Sequence, residues 1–178
     1  MRKVVAYELL SVDGVAERPD AFFLEFDEVM RENLARVIGT QDTVLLGRRS
    51  YDEWSEFWPG SDIQPFSDFI NGVEKFVVTS STPDQLWANT TVASEDLTEF
   101  VTELKLQSGG DIGVHASIAL TQSLLEAGLV DELRLVVAPA LQVEGRRLFD
   151  QGVSSRLTLT RHVASPSGSL LLDYLVGG

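Results

Sequence analysis

The sequence predicts an α/β protein with three layers, in which a mostly parallel sheet carries helices on both faces. Short apolar segments alternate along the chain with longer segments whose apolar residues recur at helical spacing, and this alternation is typical of parallel sheets. Two last apolar segments, joined by Ser165–Gly168, have no helix between them. They predict a hairpin that adds an antiparallel edge to the sheet.

The first strand and helix are predicted within residues 3–39. Residues 3–10 form a nearly continuous apolar run, as expected of a strand covered on both faces, and end in the polar turn Ser11–Gly14. A helix follows, with Asp20 as its predicted cap and Gly39 as its end. Its buried stripe consists of Phe26, Met30, Leu34 and Val37.

The second strand is predicted at Thr43–Leu46 and leads through Gly47 into a second helix. Ser50 is the expected N-cap, and the helix runs to Trp58, before Pro59 and Gly60. Its apolar residues Tyr51, Trp54 and Trp58 recur at i, i+3 and i+7. Residues 61–72 read as a loop with a helical turn at 66–70.

The remaining strands are predicted at 75–79, 90–93, 111–115, 133–138, 157–163 and 170–176. Ser94 is the expected cap of a helix that ends at Gly109 and Gly110, with acids in its first turn and Lys105 in its last. Ala116 and Ser117 open a further helix, for which Gly128 provides the end. Residues 142–152 are predicted to be a loop.

Composition excludes several classes of function. At 178 residues and 44% hydrophobic content, the chain is expected to form a single domain over residues 1–178. The absence of cysteine excludes disulfides, thiolate metal sites and thiol catalysis. The net charge of −13 makes nucleic acid and anionic membranes poor partners. Because the sequence shows no signal peptide and no apolar run that could cross a bilayer, a cytoplasmic location is expected.

The familiar catalytic motifs are missing from the sequence. It contains no dinucleotide-binding glycine fingerprint, no P-loop, no nucleophile elbow and no zinc-protease motif. His115 and His162 lie far apart without the spacing of metal ligands, so no metal site is expected. A histidine at a strand end is more often a structural hydrogen-bonding residue.

An anion site is predicted where the second strand meets its helix. Gly47 permits a close approach of the backbone, Arg48 and Arg49 supply charge, and the free N–H groups of a helix N-terminus favour anions. The alternative is a plain strand–helix corner with two solvated arginines. A second pair, Arg146 and Arg147, is more simply read as solvated.

Four polar turns are expected at the carboxyl edge of the sheet, where open α/β sheets bind their ligands. They are residues 11–14, 47–50, 79–82 and 115–117. A pyrophosphate held between two helix N-termini is the simplest ligand that uses all of them. Asp13 lies in the first of these turns, so it is either a pocket residue or a plain Asp-Gly turn.

The chain resembles the dihydrofolate reductase-like family. It more closely resembles the bacterial branch related to the C-terminal reductase domain of RibD, the bifunctional riboflavin-biosynthesis protein. The resemblance spans nearly the whole chain. It rests on five stretches: Ser11–Gly14, Val44–Tyr51, Lys75–Ser80, Gly128–Leu135 and Arg146–Phe149.

The resemblance implies an NADPH-binding reductase of the dihydrofolate reductase-like fold, commonly a homodimer. Gly47, Arg48 and Ser50 would meet the cofactor phosphates, and Thr79 and Ser80 the adenosine ribose and its 2′-phosphate. The second phosphate loop of the family usually carries paired glycines, whereas this chain has Ala116 and Ser117 after its histidine.

The first hypothesis is therefore an NADPH-dependent reductase that transfers hydride to a carbonyl or imine of a small heterocyclic or sugar-linked substrate. The riboflavin precursor is the nearest analogue, and Asp13, or a water it orders, is the expected proton donor. Two alternatives stay open: a dihydrofolate reductase, and a dimeric protein that binds a nucleotide or small ligand without turnover.

Overall fold

The chain forms an eight-stranded sheet with five α-helices, in a computed structural model that describes residues 1–150, 152 and 154–177. The strands are β1 Val4–Leu10, β2 Gln41–Gly47, β3 Glu74–Val78, β4 Thr90–Ala93, β5 Asp111–His115, β6 Glu132–Val137, β7 Leu157–Ala164 and β8 Leu170–Val176. The helices are α1 Glu28–Ile38, α2 Arg48–Phe57, α3 Phe66–Gly72, α4 Leu97–Leu106 and α5 Ile118–Glu126. Of the predicted loop 142–152, Gln151 lies outside the described residues.

The strand order across the sheet is β4-β3-β2-β5-β1-β6-β8-β7. Strands β1 to β6 run parallel to one another, and β8 pairs antiparallel with both β6 and β7. The predicted mixed sheet with a C-terminal antiparallel hairpin is thus confirmed. Thr43–Leu46 and Asp111–His115 lie inside the sheet, as their apolar character predicts.

Helices cover both faces of the sheet, which gives the three predicted layers. On one face, residues of α4 and α5 such as Val101 and Leu124 pack with sheet residues such as Leu45. On the other face, α1, α2 and α3 pack around Val44 and Leu46. Alternate residues of β2 therefore enter opposite cores, as the two-residue period of a strand requires.

Two predicted helix caps are wrong, because a later aspartate makes the capping bonds in each case. Asp27 caps α1, where its carboxylate accepts a hydrogen bond from the Met30 N–H at 3.0 Å; Asp20 lies in a separate short turn. Asp96 caps α4 by accepting from two N–H groups of the first turn, so Ser94 lies outside the helix. A carboxylate also complements the positive end of the helix dipole.

The predicted cap of α2 is also wrong. The chain passes from β2 into α2 without a linker, so Gly47 occupies the N-cap position and Ser50 already lies inside the helix. The Ser50 hydroxyl instead donates to the carbonyl oxygen of Ala116 at 3.0 Å. This contact joins the start of α2 to the segment before α5.

Tyr51 fixes α2 to the segment that precedes β4. Its side chain is 1% exposed, and its hydroxyl donates to the Gln85 carbonyl at 3.0 Å and accepts from the Trp87 N–H at 2.9 Å. One hydroxyl thus pairs with two backbone groups of that segment.

We predict that Tyr51→Phe lowers the free energy of unfolding by about 1–3 kcal/mol, since it leaves the buried Trp87 N–H and the part-buried Gln85 carbonyl without this partner. Denaturant titration measures the change. Tyr174→Phe is the matched control, because the described residues offer no hydrogen bond to the Tyr174 hydroxyl, and it should change stability much less. An equal effect of the two substitutions would contradict the bridging role of Tyr51.

Candidate functional site

Two strand–helix corners meet at the carboxyl edge of the sheet. β2 ends at Gly47 and β5 ends at His115, and these two strands are neighbours. The Gly47 N–H donates to the Ser117 hydroxyl oxygen at 3.0 Å, and Ser50 donates to the Ala116 carbonyl. These two hydrogen bonds hold the N-termini of α2 and α5 side by side.

The N-termini of α2 and α5 have free backbone donors. Within the described residues, neither helix has a side-chain cap, whereas α1 and α4 are capped by aspartates. Ser117 stands at the cap position of α5, but its hydroxyl already accepts the Gly47 N–H. The uncapped N–H groups and the positive ends of two helix dipoles therefore favour an anion at this place.

The two helix N-termini line a groove of about 660 Å³. The sequence-predicted residues that line it are Gly47, Arg48, Ser50, Ala116 and Ser117. Residues 16–20, in the segment after the first turn, also line the groove. The structure thus brings together five of the seven predicted cofactor-binding residues.

The other two, Thr79 and Ser80, do not line the groove but lie in a turn that contacts Arg48. The Arg48 guanidinium donates to the Ser81 hydroxyl at 2.7 Å and to both carboxylate oxygens of Asp52 at 2.8 Å. Thr79 accepts from the Ser81 N–H at 3.2 Å. Ser81 is therefore the residue of this turn that holds Arg48, and the predicted turn 79–82 already contained it.

Glu17 pairs with two further arginines of the groove. The Glu17 carboxylate lies 3.3 Å from Arg49 and 3.2 Å from Arg146, and the Arg146 backbone N–H, followed by its guanidinium, lowers the pKa of Glu17. Arg146, predicted to be solvated, is thus part of the groove wall. Arg18 also lines the groove, and its side chain makes no hydrogen bond or ion pair within the described residues.

Asp13 joins the first turn to the loop that precedes Arg146. Its carboxylate accepts from the Ser11 hydroxyl at 2.7 Å, the Gln142 N–H at 3.0 Å and the Val143 N–H at 2.9 Å. The Gln142 N–H and then the Ser11 hydroxyl lower the pKa of Asp13. Asp13 lines neither the groove nor the pocket described below. The prediction that Asp13 contacts the substrate is therefore not supported by its position.

An apolar pocket of about 210 Å³ opens beside the groove. Aromatic side chains dominate its wall, among them Tyr7, Phe26, Trp54, Trp58 and Phe66. Sequence reasoning missed this pocket because the helical spacing of Trp54 and Trp58 also fits a packed core. Six residues line both cavities: Leu9, Ala16, Pro19, Trp54, Trp58 and Ala116.

Two ionisable residues at the pocket are held in their neutral forms by burial. Burial raises the pKa of the Glu8 carboxyl to about 8, and this carboxyl accepts a hydrogen bond from the Thr121 hydroxyl at 2.9 Å. Burial lowers the pKa of His115 to about 3, and its Nε2 shares a hydrogen bond of 2.8 Å with Gln41. Glu8 was also missed, since one acid within an apolar run reads as part of the strand.

Ala116 adopts a left-handed backbone conformation, with a φ of 50°. This conformation is uncommon for a residue with a Cβ and is the one that glycine adopts without cost. Alanine therefore stands where the backbone itself favours glycine, on the wall common to the groove and the pocket.

Among the described residues, no helix has both the length and the apolar composition of a membrane span. No group of three or more His, Cys, Asp or Glu side chains within residues 1–150, 152 and 154–177 is arranged to hold a metal ion.

Known proteins with similar sequences form one family. The sequence model of the RibD C-terminal domain family matches residues 2–171. Two uncharacterized proteins of Bacillus subtilis are similar in sequence: YyaP is 29% identical over 162 residues, covering 86% of this chain and 79% of its own. YwjB is 26% identical over 153 residues and covers 84% of each chain.

Solved structures share the fold at low sequence identity. A protein of Shewanella sp. PV-4 assigned to riboflavin biosynthesis superposes with a TM-score of 0.81 at 14% identity, covering 99% of both chains. A pyrimidine reductase-like protein of Corynebacterium diphtheriae gives 0.70 at 17% identity, over 98% of this chain and 92% of its own. The Thermotoga maritima diaminohydroxyphosphoribosylaminopyrimidine deaminase/5-amino-6-(5-phosphoribosylamino)uracil reductase gives 0.70 at 13% identity, over 98% of this chain and 56% of its own.

The neutral Glu8 predicts a pH dependence of stability. A carboxyl with a pKa of 4.5 in the unfolded chain and about 8 in the folded chain binds more protons in the folded state between these values. Its contribution to stability is therefore fully present below pH 4.5 and is lost as the pH rises through about 8. The loss amounts to about 1.4 kcal/mol for each pH unit in this range.

We predict that Glu8→Gln removes this loss, so the variant gains stability relative to wild type between pH 5 and 8. Denaturant titrations at several pH values measure the difference. Glu56→Gln on the exposed side of α2 is the control and should follow wild type across this range. Parallel curves for wild type and Glu8→Gln would show that Glu8 is ionised in the folded protein.

Proposed function

The chain belongs to the RibD C-terminal domain family, and from this premise we propose that it is an NADPH-dependent reductase. In this proposal hydride passes to a carbonyl or imine carbon of a small heterocyclic or sugar-linked molecule. The reduction of 5-amino-6-(5-phosphoribosylamino)uracil, which the Thermotoga relative is named for, is the nearest analogue.

One observation carries the proposal: two uncapped helix N-termini face the same groove. A pyrophosphate has two negatively charged phosphoryl groups, and each could accept hydrogen bonds from the free N–H groups of one helix. Gly47 adds no side chain at this point, and the Ser117 hydroxyl lies beside it. The residues present therefore fit a dinucleotide, and bound NADPH would supply the hydride.

Arg48 and the turn that it contacts are assigned to the adenosine end of the cofactor. Arg48 already bonds to Ser81 and to the carbonyl oxygens of that turn, where Thr79 and Ser80 add hydroxyls. A guanidinium beside several hydroxyl donors is well suited to a phosphate monoester. This arrangement supports a preference for the 2′-phosphate of NADPH over NADH.

Neither Asp13 nor Glu8 is well placed to give the product its proton. Carbonyl reduction leaves negative charge on oxygen, and a group that donates a proton must still hold it near neutral pH. The pKa of Asp13 is lowered. Burial raises the pKa of Glu8 to about 8, but its carboxyl bonds to Thr121 of α5, on the face of the sheet opposite the aromatic side chains of the pocket. Burial also raises the pKa of Tyr7, which makes its hydroxyl a weak acid.

The alternatives differ from this proposal in specific residues. For dihydrofolate reductase, an acid would be expected from the first helix, but the segment around α1 gives the pocket Phe26 and Leu34. The non-catalytic alternative draws support from Ala116, whose methyl group stands where the family usually has glycine. A direct measurement of cofactor binding separates that alternative from both reductases.

A homodimer is also part of the proposal. The outer strands β7 and β8 expose Leu157, Leu159 and Leu170 by 39–46%. The strand pairing places Leu159 opposite Tyr174 and Leu157 opposite Val176, so these side chains share one face of the hairpin. An apolar strip of this kind suits the same strip of a second copy.

The first prediction from this function concerns Arg48. Arg48→Ala should weaken NADPH binding by about 1.5–3 kcal/mol, because it removes a charge-assisted contact, which is roughly tenfold to a hundredfold in affinity. NADH binding should hardly change if the contact is to the 2′-phosphate. Calorimetric titration of both cofactors measures the two affinities.

Arg49→Ala is the matched control for Arg48→Ala, since Arg49 follows it in the same helix and is already held between Glu17 and Glu53. It should cost less NADPH affinity. A parallel fall of NADPH and NADH would place Arg48 at the pyrophosphate. Unchanged NADPH affinity in a folded Arg48→Ala variant would refute the anion site, and no NADPH binding by wild type at millimolar concentration would favour the non-catalytic alternative.

The second prediction concerns assembly. Light scattering at micromolar concentration should give the mass of two chains, and Leu159→Glu should shift the protein to one chain, because a carboxylate would be buried in an apolar interface. Leu86→Glu, at a position 86% exposed outside the strip, should leave the dimer intact. A monomeric wild type would remove the dimer from the proposal.

A further inference from the structure

The pocket beside the groove is built from aromatic rings in edge-to-face contact. Phe66 lies 5.5 Å from Trp54 and 4.8 Å from Trp58, ring centre to ring centre, and the two tryptophans lie 5.8 Å apart. Edge-to-face pairs hold each other in defined orientations. The wall is therefore a fixed apolar surface, which suits a flat ligand.

The pocket wall carries no positive charge. None of the described residues that line it is a lysine or an arginine. Its ionisable members are Tyr7, Glu8 and His115, and the pKa of each is shifted by burial towards the uncharged form at neutral pH. A charged ligand would find no counter-ion there.

The arginines nearby belong to the groove rather than to the pocket. Arg18, Arg48, Arg49 and Arg146 line the groove and are absent from the pocket wall. The last three are each paired with an acid of the chain, and Arg18, which has no side-chain partner within the described residues, stays on the groove side. A substrate phosphate inside the pocket would lose its water without gaining a cation, and burying an unpaired charge is strongly unfavourable.

Size limits the ligand as well. An apolar cavity of about 150 Å³ accommodates benzene, and this pocket has about 210 Å³. One aromatic ring, or two fused rings, is the matching size. Ile63 lies at the pocket and is 55% exposed, so a ligand can enter past a side chain that faces solvent.

We propose that this pocket takes an uncharged, flat aromatic or conjugated carbonyl compound, and that it rejects sugar phosphates such as the riboflavin precursor. As a statement about substrate, the inference rests on the proposed reductase function. As a statement about binding, it rests on the pocket alone.

Reduction of such a carbonyl compound needs only NADPH and one proton. Hydride adds to the carbonyl carbon, the π electron pair moves to oxygen, and that oxygen takes one proton to give an alcohol. The substrate gains two electrons, and NADPH is oxidised to NADP⁺. Water at the open side of the pocket, beside Ile63, supplies that proton.

The test compares two ligands that differ by one charge. 2-Naphthaldehyde and 6-formyl-2-naphthoate share the ring and the aldehyde, but only the second carries a carboxylate. Calorimetry on wild type, alone and with NADP⁺, should show at least about tenfold tighter binding of the uncharged aldehyde, because a tenfold change needs about 1.4 kcal/mol and an unpaired buried carboxylate costs more. Ribose 5-phosphate should not bind in the pocket.

Ile63→Lys introduces a cation at the pocket. It should weaken 2-naphthaldehyde binding, strengthen 6-formyl-2-naphthoate binding and so reduce their ratio severalfold. Leu106→Lys is the control: this residue is 71% exposed at the end of α4 and does not line the pocket, so the ratio should stay as in wild type. Both positions are exposed, so both variants are expected to fold.

The outcomes separate the two proposals. Loss of NADPH binding together with a retained preference for 2-naphthaldehyde would refute the reductase and support the assignment of the pocket. NADPH binding together with equal or tighter binding of 6-formyl-2-naphthoate or ribose 5-phosphate to the NADP⁺-bound protein, whose groove is already filled, would overturn the pocket assignment and leave the reductase standing. A preference that is unchanged in Ile63→Lys would also overturn it, because the aldehyde would then bind elsewhere.

Discussion

The hydrogen bond from the Gly47 N–H to the Ser117 hydroxyl is the contact on which the rest of the site depends. It joins two strand–helix corners that are 70 residues apart in the chain. The Ser117 hydroxyl bonds to Gly47 and makes no cap bond to α5, so no side chain of the described residues caps that helix. The two helix N-termini are thus held together while their N–H donors stay available to an anion.

The fold was largely predictable because its pattern is local. Alternating strand and helix signals, together with a hairpin that lacks a helix, gave the mixed sheet, and the interior position of β2 and β5 followed from their apolar residues. The caps were harder to assign. Asp20 and Ser94 are good cap residues by type, but Asp27 and Asp96 make the bonds, and only the geometry of the first turn decides between candidates a few residues apart.

The site was predictable where it is formed by backbone and turn chemistry, and unpredictable where it depends on burial. Gly47 and Ser117 could be identified because glycine turns and helix starts favour particular residue types. Glu8 could not, because its importance comes from a desolvation that depends on α5 packing over β1. The charge of Asp13 was visible, but the three donors that surround it come partly from a loop about 130 residues later.

The six residues common to the groove and the pocket have a thermodynamic consequence. A molecule in the groove and a molecule in the pocket would touch the same side chains, Trp54 and Trp58 among them, so each would alter the surface that the other meets. Their binding free energies are therefore coupled, and the coupling is reciprocal: whatever the first ligand adds to the affinity of the second, the second adds to that of the first. Such a wall gives the protein a means to favour one order of ligand entry without any change of fold.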